Sequence, residues 1–162
     1  MEYTFRDCTL QDLDFLFDLK KENFKCYVDN IWGWNDDEQK ERLKKDLKEH
    51  LQHKKIILIG NKPVGVYAMH ITEQGDCFIN EISILKEYQH KGIGRGILEY
   101  QLKENHEKKI RTILQVFKDN PAQKLYKKLG FKIYGETETH YQMEDKNELN
   151  KDFIHFFRNY WK

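Results

Sequence analysis

Between Tyr88 and Gly96 the chain reads Tyr-Gln-His-Lys-Gly-Ile-Gly-Arg-Gly, and its grammar changes there. Upstream, Cys77 to Leu85 is an apolar strand. Downstream, Gly92 to Glu107 has the spacing of a helix. Successive backbone N–H groups at a helix start form a positively polarised concavity suited to phosphate oxygens. Glycine there lets an anion approach the backbone with no Cβ in the way. A plain strand-to-helix turn accounts for the same glycines without any ligand.

The remaining elements follow from periodicity. Tyr3 to Asp7 alternates as a short strand, and Thr9 with Asp12 marks the start of a helix carrying Leu10, Leu13, Leu16, Phe17 and Phe24. An irregular aromatic stretch, Tyr27 to Trp34, is expected next. A charged helix then runs from about Asp36 to His53, with Leu43, Leu47 and Leu51 as its apolar seam. Ile56–Ile59 and Val64–Thr72 form antiparallel strands around a turn at Asn61-Lys62-Pro63, and Cys77–Leu85 extends the meander. After the glycine run come a strand at Ile110–Phe117, a helix at Pro121–Leu129, and one or two strands from Phe131 to Met143. This order predicts an α/β (α+β) fold, one mixed central sheet with helices on both faces.

At 162 residues the chain suits one domain, and 39% hydrophobic residues suffice for one core. A formal net charge of +1 argues against a protein built to hold nucleic acid. No apolar run predicts a membrane span, and Glu2, Arg6 and Asp7 do not resemble a secretory signal. Cys8, Cys26 and Cys77 are scattered and odd in number, so they read as buried or half-buried residues of a cytoplasmic chain. His50 and His53 lack an H-E-x-x-H pattern, and no metal site is expected.

Known phosphate-loop patterns narrow the glycine run. A Walker loop needs Lys-Ser/Thr after its last glycine, and Gly94 is followed by Arg95. A dinucleotide fingerprint needs G-x-G-x-x-G, which the spacing Gly92, Gly94, Gly96 does not match. The residues do match Q-x-x-G-x-G, with Gln89, Gly92 and Gly94. Downstream, Asn120, Ala122, Tyr126, Gly130 and Phe131 read N-x-A-x-x-x-Y-x-x-x-G-F. Pro121 fits a first helical turn, Gly130 a left-handed C′ position, and Leu125 with Leu129 the core side. In both segments, and over residues 1–145, the chain resembles the GNAT acetyltransferase superfamily. Residues 1–145 are then its domain. Residues 146–162, with Phe153, Phe156, Phe157, Tyr160 and Trp161 at helical spacing, are an appended amphipathic helix. That helix docks on the domain itself or on a second subunit in a homodimer.

The resemblance implies a V-shaped splay between the fourth and fifth strands, and acetyl-CoA as co-substrate. Its pantetheine arm would pair with the backbone of Ile82, Ser83 and Ile84, and its pyrophosphate would lie in the loop from Gln89 through His90, Lys91, Gly92, Ile93 and Gly94 to Arg95 and Gly96. Lys91 or Arg95 would pair with adenosine phosphates or remain surface charges. Asn120 and Ala122 would touch the pantetheine region, with capping as the other role open to Asn120. Tyr126 matches the family tyrosine that protonates the departing thiolate. Glu81 is a candidate base, directly or through water, or an acceptor-orienting carboxylate. Trp32, Trp34 and Tyr141, with His140, are acceptor-site candidates or packing residues, and Asp36, Asp37 and Glu38 would attract a cationic amine.

The implied activity is acetyl transfer to a primary amine of a small molecule or peptide, within a ternary complex. A non-catalytic acyl-CoA-binding sensor or docking module of the same fold is the alternative. An RNA-directed acetyltransferase fits the charge less well, and fold alone does not identify the acceptor.

Overall fold

The computed structural model describes residues 1–146, so the amphipathic helix expected over 146–162 lies, but for Lys146, outside the described residues. The described residues form seven strands and four α-helices in the order β1 (Thr4–Asp7), α1 (Leu13–Trp32), α2 (Asp36–His50), β2 (Lys54–Ile59), β3 (Lys62–Ile71), β4 (Cys77–Ile84), α3 (Ile93–Glu107), β5 (Thr112–Phe117), α4 (Gln123–Lys128), β6 (Lys132–Glu136) and β7 (His140–Asp145). Strand order is β1-β2-β3-β4-β5-β7-β6. The β4–β5 step is parallel, and the long crossover that a parallel pair requires contains α3. The fold is thus the expected mixed α/β sheet. The described residues divide into two compact units, Met1–His70 with Ile79–Leu98, and Ile71–Phe78 with residues 99–146.

In the first unit, β1 pairs antiparallel with β2 from Thr4↔Leu58 to Asp7↔Lys55, and β2 pairs with β3 from Lys54↔Ala68. The hairpin turns at Gly60, φ +59°, and Asn61. Pro63 lies inside β3 rather than in the turn, next to a register shift between Ile57 and Leu58 that relieves the pairing its missing N–H cannot make. Leu16, Phe17 and Leu19 of α1 and Leu43 and Leu47 of α2 bury against Ile56 and Val66. The leucine seam of α2 is thereby accounted for, with Leu51 partly buried on the same cluster. Asn35 caps α2, its Oδ1 accepting from the Glu38 N–H at 3.0 Å, and Asp36, Asp37 and Glu38 stand where the helix dipole favours anions.

The aromatic stretch is not irregular. With neither Gly nor Pro from Leu13 to Trp32, α1 continues to Trp32 and stops only at Gly33, φ +79°, whose N–H bonds the Asp29 carbonyl at 3.1 Å.

In the second unit, β5 pairs antiparallel with β7 from Thr112↔Asp145 to Phe117↔His140, and β6 with β7 from Lys132↔Glu144. The last segment is therefore two strands, turned where Thr137 donates to the His140 carbonyl at 2.9 Å. Asn105, buried on α3, donates from Nδ2 to Thr112 Oγ1 at 2.8 Å, and its carbonyl accepts from Ile110 N–H at 2.8 Å. Cys77 N–H donates to the Arg111 carbonyl at 2.8 Å, joining the start of β4 to the residue preceding β5. Cys8 and Cys77 are buried, but Cys26 is exposed, its place on α1 facing away from the packed side.

Candidate active site

The glycine run bends as a left-handed hinge. His90 has φ +59° and Gly92 φ +84°, and α3 begins at the next residue. His90 adopts a conformation that costs a residue with a Cβ roughly 1–2 kcal/mol. A Cβ on Gly92 would meet nothing within 4 Å, so this glycine is required by its φ, and the space beside it is open. The other two glycines serve packing. A Cβ on Gly94 would lie 3.4 Å from Ile84 Cδ1, and one on Gly96 would lie 3.3 Å from the Tyr3 hydroxyl. The opening N–H groups of a helix have no partner in a preceding turn, and here Gly96 N–H bonds back to the Gly92 carbonyl at 2.9 Å.

Gln89 does not extend its side chain outward. Its Nε2 donates to Asn23 Oδ1 at 2.7 Å and to the Ile84 carbonyl at 2.8 Å, while Asn23 Nδ2 donates to that carbonyl at 3.1 Å. The side chain is a strut tying the loop to α1 and the end of β4. The Ile84 carbonyl already accepts two bonds, so its lone pairs serve the loop rather than a ligand amide. Nearby, the Glu22 carboxylate accepts from Lys86 N–H at 3.2 Å, and Lys91 Nζ lies 5.3 Å from the centre of the Tyr88 ring.

Glu81 is half-buried on β4 between two partners. Ser83 Oγ donates to its Oε1 at 3.0 Å, and the Lys54 ammonium stands 3.8 Å from Oε2. Lys54 is buried, 7% exposed, and its other partner is Asp46 at 2.9 Å. Burying an ammonium is tolerated only with such counter-charges. Ser83 is therefore occupied through its hydroxyl, leaving Ile82 as the half-buried wall residue beside Gly94.

In the second unit Leu129 is buried as expected, but Leu125 is only half-buried and Tyr126 is buried in its place. The cause is the helix end. Phe131 N–H donates to the Tyr126 carbonyl at 3.0 Å and Gly130 N–H, φ +97°, to that of Lys127 at 3.1 Å. This Schellman closure sets the Tyr126 and Phe131 rings edge to face, centroids 5.9 Å apart. Burial pushes the Tyr126 hydroxyl up to about 12, so it stays protonated. Asn120 Oδ1 accepts from the Ala122 N–H at 2.9 Å, an Asx turn that leads into α4, whose N-cap is Ala122 itself.

The acceptor-site candidates differ in setting. Trp32 is 64% exposed on the last turn of α1. Trp34 packs near Phe17, ring centroids 6.4 Å apart, and donates from Nε1 to Asp36 at 2.6 Å, so it seals the core edge. Asp36 also takes Lys21 at 2.7 Å; these donors hold its carboxyl below the usual range and leave it engaged. Tyr141 is half-buried under the Lys118 ammonium, 5.4 Å from its ring centre. His140 lies against Phe117 at 4.1 Å, and burial lowers its pKa. Asn23, Lys20, Lys54 and Asp46 escaped sequence reading. A lysine opening an apolar strand was the one available signal.

Among the described residues no group of three His, Cys, Asp or Glu is placed to hold a metal, and no helix is long and apolar enough to cross a membrane.

Residues 52–133 match the family described as Acetyltransferase (GNAT) domain. Among solved structures, the PaiA N-acetyltransferase of Thermoplasma acidophilum, in complex with coenzyme A, is 20% identical at a TM-score of 0.71, covering 90% of this chain and 99% of that one. The PH1933 protein of Pyrococcus horikoshii OT3 gives 22% identity and a TM-score of 0.70, covering 90% and 98%. An N-acetyltransferase of Staphylococcus aureus Mu50 gives 16% and 0.69, covering 88% and 100%. At these identities the likeness is one of fold.

Proposed function

We propose a function from one premise: the chain belongs to the GNAT acetyltransferase family, whose domain match spans residues 52–133 of its 162. It transfers an acetyl group from acetyl-CoA to a primary amine of a small molecule or peptide, by direct attack in a ternary complex, with residues 1–145 forming the catalytic domain. Acetyl-CoA supplies the activated thioester carbonyl. The observation that carries the reading is the loop before α3, with Gly92 at φ +84° and open space beside it where a helix begins, which fits a pyrophosphate.

The residues divide the work. Exposed Lys91 adds positive charge beside the loop, and Gln89 with Asn23 holds its shape. Glu81, oriented by Ser83 and Lys54, attracts the acceptor ammonium and relays its proton, directly or through water. Tyr126 acts at the leaving sulfur. A phenol near 12 would protonate a thiolate of ordinary basicity, about 8.5, only uphill. Its contribution is therefore a hydrogen bond to the sulfur as charge develops there, with protonation completed after release.

The test is a panel of primary amines with acetyl-CoA, read as free thiol. Release that depends on amine and saturates supports the proposal. Coenzyme A binding without release on any amine would instead favour the acyl-CoA-binding module.

A further inference from the structure

The ion pairs around Glu81 leave one cation over. Asp46 and Arg42, four residues apart, share a face of α2, and Lys54 bonds Asp46 at 2.9 Å while standing 3.8 Å from Glu81. Lys20 is on α1, one turn before Asn23, whose amide reaches the Ile84 carbonyl of β4 at 3.1 Å. This places Lys20 over the same strand. Its half-buried ammonium is attracted by Glu81 and Asp46 and repelled by Arg42 and Lys54. Among the described residues no carboxylate lies within ion-pair distance of it. The cluster thus sets three cations, Lys20, Arg42 and Lys54, against two anions, Asp46 and Glu81, and buried Lys54 is the cation those anions pair with.

A partly desolvated ammonium without a counter-ion is a cost to the fold. It becomes useful if an anion arrives with a ligand. Glu81 faces the same cluster with the opposite sign, so the two together match a molecule carrying an ammonium and an oxyanion.

We propose that Lys20, with Arg42 beside it, binds an oxyanion on the acceptor, making amines that bear a carboxylate or a phosphate the preferred substrates. This rests on the acetyl-transfer reading above and names the substrate class of that site. Lys20 acts in specificity; the chemistry stays with the reacting amine.

The experiment compares β-alanine, O-phosphoethanolamine and propylamine as acceptors for the wild type, Lys20→Met and Lys20→Arg. Met keeps the aliphatic stem and the helix propensity. Lys108→Met, the same charge removed from an exposed lysine, controls for net charge. The wild type is expected to favour one or both anionic amines over propylamine in kcat/KM. A charge-assisted contact is worth about 10- to 100-fold, seen mainly in KM. Lys20→Met should erase that preference, while Lys20→Arg and Lys108→Met keep it. β-Alanine against O-phosphoethanolamine separates carboxylate from phosphate. A wild type without preference, or a Lys20→Met that retains it, overturns the proposal. If none of the three amines is acetylated, the transfer reading loses support, and calorimetry of the two anionic probes on coenzyme A-saturated protein decides the subsite. Binding to wild type but not to Lys20→Met upholds it, and no binding to wild type overturns it.

Discussion

Tyr126 joins a catalytic hypothesis to a measurable property of the fold. Its ring closes the end of α4 against Phe131, and its hydroxyl is held protonated by burial. Tyr126→Phe keeps the ring and removes the donor. Its turnover number is expected to fall roughly 10²–10³-fold with coenzyme A affinity nearly unchanged. Single-turnover kinetics that match the wild type would remove Tyr126 from the mechanism. The same residue sets an alkaline limit. Its pKa rises from about 10 unfolded to about 12 folded, so the stabilisation is complete below pH 10 and lost as pH climbs toward 12. Two units correspond to about 2–3 kcal/mol. Denaturant midpoints measured from pH 9 to pH 12 should fall less steeply for Tyr126→Phe than for the wild type.

At the scale of elements, turn glycines do separable jobs. Gly92 and Gly130 are fixed by positive φ, whereas Gly94 and Gly96 lie at close-packed points of α3, where a Cβ would come within 3.4 Å of Ile84 and 3.3 Å of the Tyr3 hydroxyl. Gly130→Ala places a side chain in the left-handed region and strains the closure of α4. The expected loss is about 1–2 kcal/mol in urea unfolding, with an unchanged slope. A loss under about 0.3 kcal/mol would mean the Schellman bonds contribute little. By contrast Gly65 is fixed by neighbours alone, since a Cβ there would lie 2.4 Å from the Ser83 carbonyl oxygen. The close approach of β3 to β4 depends on it.

For the whole molecule, ligand linkage is the direct probe. Acetyl-CoA binding only the folded chain should raise stability by about 2.7 kcal/mol at one hundred times its dissociation constant. The thermal midpoint should therefore climb by several degrees with concentration. Gly92→Glu, which sets a carboxylate beside the loop at a strained φ, should abolish that shift beyond its own destabilisation. A shift as large as the wild type's would place the cofactor elsewhere.

The order of elements, the leucine seam of α2, the left-handed Gly130 and the Gln89–Gly96 motif were all legible from residues 1–146, because each depends on local φ preference or on short-range periodicity. The length of α1 was misread, since clustered aromatics look irregular although nothing in them breaks a helix. The partners of the polar groups belonged to the tertiary structure. Asn23 meets Ile84 across 61 residues and Gln89 across 66, and Lys54 finds Glu81 only once β2, α2 and β4 have assembled. A buried charge is stabilised by whichever groups folding brings within a few ångströms, and spacing along the chain carries no trace of those distances.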